Sequence, residues 1–248
     1  MGGVGFALDT KWRHFPDSLF CFMVHLKKGI VRFSMYIVDL FKERFIQENN
    51  VKSMDWENML DKKSVSTQRS LVGRRLYLKP FSRGDLPYIQ KWSNDSEIRR
   101  LTGEVSPMSR AEAERFHREL RADKDRLWFA IVLKRGKRVI GEAGLLRMFR
   151  PWRCTDMTII IGEKDAWGKG YGSEAGRLLL DHAFDRLGFH RVSVGVVGFN
   201  ERALRFWESL GFKREGALRD GYYCDNKYSD FVMMSILEDE YRALRKVH

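Results

Sequence analysis

The chain has 248 residues, 44% of them hydrophobic and 13% aromatic, which is enough for a globular protein with a proper core in one large or two small domains. Three cysteines, Cys21, Cys154 and Cys224, are far apart and form no CxxC pair, and six histidines (His14, His25, His117, His182, His190 and His248) show no HExxH spacing; a disulfide framework and a metal site are both excluded, and a reducing, cytoplasmic setting is expected. The net charge of +12, carried mostly by residues 71–248 (34 basic against 25 acidic), suits an anionic partner such as a phosphate-bearing cofactor, RNA or a ribosomal surface, although ordinary solubility accounts for many of these side chains and no nucleic-acid module is spelled out.

Residues 1–70 differ in character from the rest of the chain. Phe20–Leu26 is a short apolar run, and Ile30–Phe41 is apolar almost all round, with Lys27 and Lys28 before it. Neither run is long enough to span a bilayer, and no cleavage site of a secretory signal comes after them. The segment reads either as a basic amphipathic element for a membrane surface or partner, or as the product of an upstream start, since Met35, Met54 and Met59 each offer a later one. A polar, helix-like stretch from Ser53 ends in linker-like sequence by Arg69. The functional domain is expected at 71–248, with 1–70 as a helical extension.

Residues 74–81, RRLYLKPF, alternate as a half-buried strand. A helix start at Ser82–Asp85 precedes Leu86, Ile89 and Trp92 at helical spacing, and Asn94 and Asp95 stop it. Ile98–Ser106 is expected to be a loop. Ser109 and Glu112 form a capping box for a helix to about Arg121. Trp128–Leu133 and Val139–Leu146 make a hairpin around the basic turn Lys134–Arg138, and Met157–Ile161 is a third strand. A helical pattern then runs from Ser173 towards Gly188, with the strand Arg191–Val197 after it. Asn200 caps a helix ended by Gly211. Phe212–Leu218, Tyr222–Cys224 and Ser229–Ile236 read as strands, with Asp225 and Asn226 as a turn, and Glu238–Lys246 is helical. This order defines an α/β (α+β) single domain built on one sheet.

The stretch Thr158–Ala175, TIIIGEKDAWGKGYGSEA, reads strand, glycine loop, helix. Such a turn lets the backbone approach a ligand and aims unpaired N–H groups outward at the positive end of a helix, a seat for phosphate. A triphosphate loop needs Lys followed by Ser or Thr after its last glycine, whereas Lys169 precedes Gly170. A dinucleotide fingerprint can be spelled with Gly170, Gly172 and Ala175, but Gly198, Phe199 and Asn200 stand where an acidic residue should come after the next strand. The stretch resembles the acyl-CoA loop of the GNAT N-acetyltransferase superfamily: Gln or Arg, two residues, Gly, one residue, Gly or Ala. Gly170 and Gly172 fill the small positions, and Trp167 stands where Gln or Arg would be.

The resemblance extends over about residues 74–242. NERALRFWESLGF, from Asn200 to Phe212, is similar to the superfamily's second cofactor element. LYLKPFSRGDLPYIQKWSND and EGALRDGYYCDNKYSDFVMMSIL resemble the front and the C-terminal hairpin of the subgroup containing ribosomal-protein N-terminal acetyltransferases and spermidine acetyltransferases. It implies a single GNAT-type domain with a mixed, mostly antiparallel central sheet flanked by helices, acetyl-CoA as cosubstrate and no metal. It also implies that the backbone of Ile159, Ile160 and Ile161 on a splayed strand faces the thioester, that Trp167, Gly168, Lys169, Gly170, Tyr171, Gly172 and Ser173 hold the pyrophosphate, and that Asn200 reaches the pantetheine arm.

Acetyl transfer needs a polarised carbonyl, a deprotonated amine and a protonated leaving thiolate. Many superfamily members place a Tyr four residues before the Gly of LGF to protonate the sulfur; here that position is Trp207, and indole cannot act as an acid. Tyr222, Tyr223 or water is expected instead. Asp156, Glu142 and Glu104 are the candidate bases. A protein N-terminal α-amine is the favoured acceptor, because its pKa of about 7.7–8.0 demands little of a base. A polyamine, for which Glu97, Glu104, Glu112 and Glu114 are available, and an amino sugar or aminoglycoside remain as alternatives. The competing class is a non-catalytic acyl-CoA-binding or ribosome-associated module, which Trp207 favours. The chain is expected to act alone or as a homodimer.

Overall fold

The computed structural model describes residues 70–247 apart from Val105. The extension 1–69, with Cys21, His14, His25 and its apolar and linker-like stretches, lies outside the described residues, as does His248.

Eight strands form one sheet: β1 (Leu71–Val72), β2 (Leu76–Pro80), β3 (Leu127–Leu133), β4 (Val139–Phe149), β5 (Cys154–Ile161), β6 (Arg191–Val197), β7 (Lys213–Cys224) and β8 (Lys227–Leu237). Their order is β1-β2-β3-β4-β5-β6-β8-β7. Every pairing is antiparallel except β5 with β6. The sheet is therefore mixed and mostly antiparallel, as expected.

Two clusters cover the two faces. On one, α4 (Tyr171–Asp181), α5 (Glu201–Ser209) and α6 (Glu238–Val247) close the main core, in which Leu76, Leu78, Phe129, Ile131, Leu145, Leu179 and Leu180 are fully buried. Burial of such a side chain contributes about 1.5–3 kcal/mol. On the other face, α1 (Leu86–Ser93), α2 (Ser96–Thr102) and α3 (Arg110–Ala122) pack around Ile89, Trp92 and Ile98. Because strand side chains alternate, Ile159 and Ile161 join the first cluster and Ile160 the second. Strand β5 thus contributes side chains to both layers.

The local signals at α1 and α3 act as the sequence indicates. Asp85 accepts from Ser82 N and Oγ at 2.9 and 2.6 Å, and the Ser109–Glu112 capping box opens α3. Four boundaries differ from expectation. The supposed loop after Asp95 is largely α2: Asp95, read as a stop, is the N-cap, its carboxylate accepting from Glu97 N and Ile98 N at 3.0 and 3.1 Å, and Gly103 at φ +82° ends the helix. Helix α4 begins at Tyr171 rather than Ser173, because Gly170 at φ +75° is its N-cap. Its continuation towards Gly188 widens into a single i→i+5 turn, Leu187 N donating to His182 O at 3.0 Å. Finally, Phe212–Leu218 and Tyr222–Cys224 belong to one strand, β7, with a register irregularity between Leu218 and Tyr222 that places Asp220 at φ +53°. Among the described residues no helix is long and apolar enough to cross a membrane.

Candidate active site

Strands β5 and β6 pair in parallel only through Cys154–Arg191, Thr155–Val192 and Asp156–Ser193. Beyond Ser193, β6 continues on β8, and beyond Asp156, β5 continues on β4. The two strands therefore part, and the β6-facing edge of Met157–Ile161 is left without a strand partner. An opening of this kind exposes backbone donors in a setting shielded by the sheet, where they can stabilise a developing oxyanion. At the far end Trp167 closes it, its indole Nε1 donating to Ile161 O at 2.6 Å.

The glycine turn comes directly after. Gly168 and Gly170 lie at φ +72° and +75°, a region costly for any residue with a Cβ. A Cβ on Gly168 would meet nothing within 4 Å, whereas one on Gly172 would stand 3.3 Å from the Phe206 ring of α5. Among the described residues, none of the N–H groups from Gly168 to Ser173 donates to a protein acceptor; the first helical bond is Glu174 N to Gly170 O. Six unpartnered donors at a helix N-terminus form an anion seat that suits a pyrophosphate.

The turn is braced from both sides. From the bend just before β2, Arg75 donates through Nη1 to Lys169 O at 2.9 Å and through Nε to Glu174 Oε2 at 2.8 Å, with its guanidinium 4.8 Å from the Tyr171 ring centroid. Glu174 also accepts from Arg75 N at 2.7 Å and Leu76 N at 3.3 Å. Burial pushes this carboxyl up, but Arg75 and the two backbone donors outweigh it and hold it below the ordinary carboxylate value. From the other layer, Glu163 accepts from Lys91 Nζ, Trp92 Nε1 and Arg138 Nη2 at 2.7, 2.9 and 3.1 Å. Here too burial raises the carboxyl and its three donors bring it below the ordinary range. Arg75, Glu174 and Glu163 escape a sequence reading because their partners lie 25 to 99 residues away.

The face carrying α1–α3 holds the candidate bases Glu142 and Glu104. The Trp128 ring packs against Gly144, directly opposite in the β3–β4 register, where a Cβ would come within 2.4 Å of it. Its Nε1 thereby reaches two residues along β4 and donates to Glu142 Oε2 at 2.7 Å. Glu142 is 6% exposed and sits opposite Ile160 of β5. Burial pushes its carboxyl up to about 7, the Trp128 hydrogen bond opposes this, and the charge of Glu104 adds to it. Glu104, just beyond α2, is exposed and makes no ion pair among the described residues. Of the other acidic side chains near the first helices, Glu97 is engaged by Lys164 and Glu114 by Arg83, and Glu112 serves its own helix cap.

Tyr222 comes close to this region from the C-terminal hairpin. Its ring lies 5.9 Å from Phe199 and 3.5 Å from where a Cβ on Gly103 would be. Burial first, then Cys224 and the charge of Asp225, push its phenol up to about 12, so it stays protonated at neutral pH. Tyr223 is turned outward, 54% exposed, donating to Asn226 Oδ1 at 3.2 Å. Asp156 is ion-paired with Arg147 and lies four residues along β5 from Ile160, roughly 13 Å from the position opposite Glu142. Asn200 caps α5 through Ala203 N at 3.1 Å and donates to Leu101 O at 2.9 Å, tying α5 to α2. Trp207 is 4% exposed and packs between Phe206 and Phe212 in the main core. The structure thus brings Glu142, Glu104 and Tyr222 to the face beside the opened strand and sets Tyr223 and Asp156 apart from it.

A splayed parallel pair, a glycine turn at a helix N-terminus and a buried carboxyl beside the opening suit the chemistry of an acyl-CoA-dependent acyltransferase. The family model described as an acetyltransferase (GNAT) domain matches residues 75–213, and the chain belongs to that family. An uncharacterized N-acetyltransferase, p20, of Bacillus licheniformis is 32% identical over 113 residues, 46% of this chain and 63% of that relative. The spermidine N(1)-acetyltransferase of Vibrio cholerae is 28% identical over 170 residues, 68% of this chain and 97% of the relative. A crystal structure of spermidine N-acetyltransferase from Vibrio cholerae with CoA and spermine superimposes with a TM-score of 0.64 at 27% identity, covering 68% of this chain and 98% of that one. The chain is an acetyl-CoA-dependent N-acetyltransferase.

Proposed function

We propose that the protein transfers acetyl from acetyl-CoA to a primary amine of a polyamine, with Glu142 as the base. The likeness to spermidine acetyltransferases supports this acceptor over the protein α-amine that the sequence favoured. The observation that carries it is Glu142, buried and hydrogen-bonded to Trp128, facing the charge of Glu104, an exposed side chain that makes no ion pair among the described residues. Two carboxyl groups on one face attract a polycation, and a base near neutrality is matched to proton abstraction at working pH. Glu142 takes a proton from the substrate ammonium. The freed nitrogen attacks the thioester carbonyl carbon; the oxygen charge develops against the open edge of Met157–Ile161. As the C–S bond breaks, the second nitrogen proton passes to the sulfur, with Tyr222 as hydrogen-bond donor on that route.

The test is thiol release from acetyl-CoA with spermidine, spermine, peptides of differing N-termini and an amino sugar. Turnover with the polyamines at kcat/KM at least about tenfold above the peptides is expected, since one good charged contact is worth about that factor. Thiol release with peptides alone would overturn the polyamine assignment.

A further inference from the structure

Arg202, in the first turn of α5, sits over the pyrophosphate turn. Its guanidinium carbon is 4.0 Å from the centroid of the Trp167 ring. Among the described residues it has neither a carboxylate partner nor a hydrogen bond to the protein, whereas Arg205 reaches Glu201 at 3.8 Å and Arg75 is engaged by Glu174 and Lys169 O. Its platform is fixed: Trp167 donates through Nε1 to Ile161 O at 2.6 Å and through its backbone to Lys164 O at 3.1 Å. The helix that carries it is fixed too, by the Asn200 cap and by Phe206 packed against Gly172. A rigid indole therefore holds a permanent, planar cation next to the first of the six unpartnered amides, which start at Gly168.

We infer that Arg202 is a pyrophosphate-binding residue of the CoA site, supplied by α5 and held in place by Trp167. Where the resembled loop pattern would carry Gln or Arg, this chain has the platform, and the cation reaches across from the neighbouring helix. The fork of a guanidinium matches paired phosphate oxygens, and stacking on the indole pre-orients it. Arg75, on the opposite flank, is a positioning residue, because its donors are spent on the turn itself. This inference rests on the assignment of Trp167–Ser173 as the phosphate turn.

Calorimetric titration of the full chain with CoA and with dephospho-CoA, for the wild type, R202Q, R202K, W167A and G170V, tests both. R202Q is expected to weaken both ligands by about tenfold or more, the loss of one charge-assisted contact. R202K is expected to fall between, and W167A combined with R202Q to add little to R202Q alone, since the platform acts through the cation that R202Q already removes. Thermal unfolding of R202Q should match the wild type, because the side chain is exposed; if it does not, R202K carries the comparison. Equal CoA affinity in R202Q and wild type, with binding lost in G170V, would overturn the role of Arg202 alone. A loss confined to CoA and absent with dephospho-CoA would overturn the pyrophosphate contact. Unchanged affinity in G170V would instead overturn the phosphate-turn assignment beneath it.

Discussion

Replacing Glu142 with Gln keeps the shape of the side chain and an oxygen for Trp128 Nε1, and removes only the ionisation. In the folded protein the carboxyl is pushed up to about 7, against an ordinary 4.5. Because the folded-state value lies above the unfolded one, the folded protein holds the extra proton between these pH values. The stability associated with the neutral carboxyl is present below pH 4.5 and is lost as the pH rises to about 7. At about 1.4 kcal/mol for each tenfold change in proton affinity, the loss in the wild type reaches about 3 kcal/mol. E142Q should therefore differ from the wild type by less than about 1 kcal/mol at pH 5 and exceed it by up to about 3 kcal/mol at pH 8, roughly 6–12 °C in Tm for a domain of this size. The same variant should lose kcat/KM by about 10²–10⁴ and should lack the rise with pH towards 7 that a titrating base imposes. Paired Tm and kcat/KM profiles from pH 5 to 8.5 measure both. A stability difference that does not change with pH would refute the buried, near-neutral carboxyl. An unaltered acidic limb in the rate profile would refute its role as base even if the stability result held.

Three further perturbations separate parts of the site. Tyr222→Phe should lower kcat about 100-fold without altering CoA affinity, and Tyr223→Phe should change neither, because its hydroxyl turns to Asn226; steady-state kinetics of both variants decide. Gly144→Ala puts a methyl 2.4 Å from the Trp128 ring and should destabilise the domain by about 1–3 kcal/mol. Since the Trp128 hydrogen bond lowers the Glu142 pKa, displacing the indole should also move the acidic limb of the rate profile to higher pH; an unmoved limb would detach Trp128 from the chemistry. We further propose that the catalytic unit is residues 71–248. Deleting 1–70 should leave one cooperative unfolding transition and unchanged CoA affinity, and loss of that transition would make the extension part of the core.

Local chemistry made most of the elements legible. Alternation in β2, the helical spacing of Leu86, Ile89 and Trp92, the Ser109–Glu112 box and the Asn200 cap each act within a few residues, so a linear reading suffices. The glycine turn was legible for the same reason, since positive φ and free amides belong to the backbone itself. Where two local meanings compete, the sequence misleads: Asp95 is as good an N-cap as a helix stop, and only the packing of Ile98 beside Ile89 and Trp92 selects α2.

The sequence by itself determined most of the strands and helices, the glycine turn and the set of candidate acids and bases, but not α2 or the continuity of β7. It could not rank those acids and bases, because ionisation depends on burial and on partners far along the chain. Only the tertiary structure set Glu142 under Trp128 and beside Glu104, turned Tyr223 outward, gave Asp156 to Arg147 and placed Arg202 on Trp167. A carboxyl's charge is governed by the water it has lost and the charges it faces, and both are properties of the folded sheet rather than of any window of sequence.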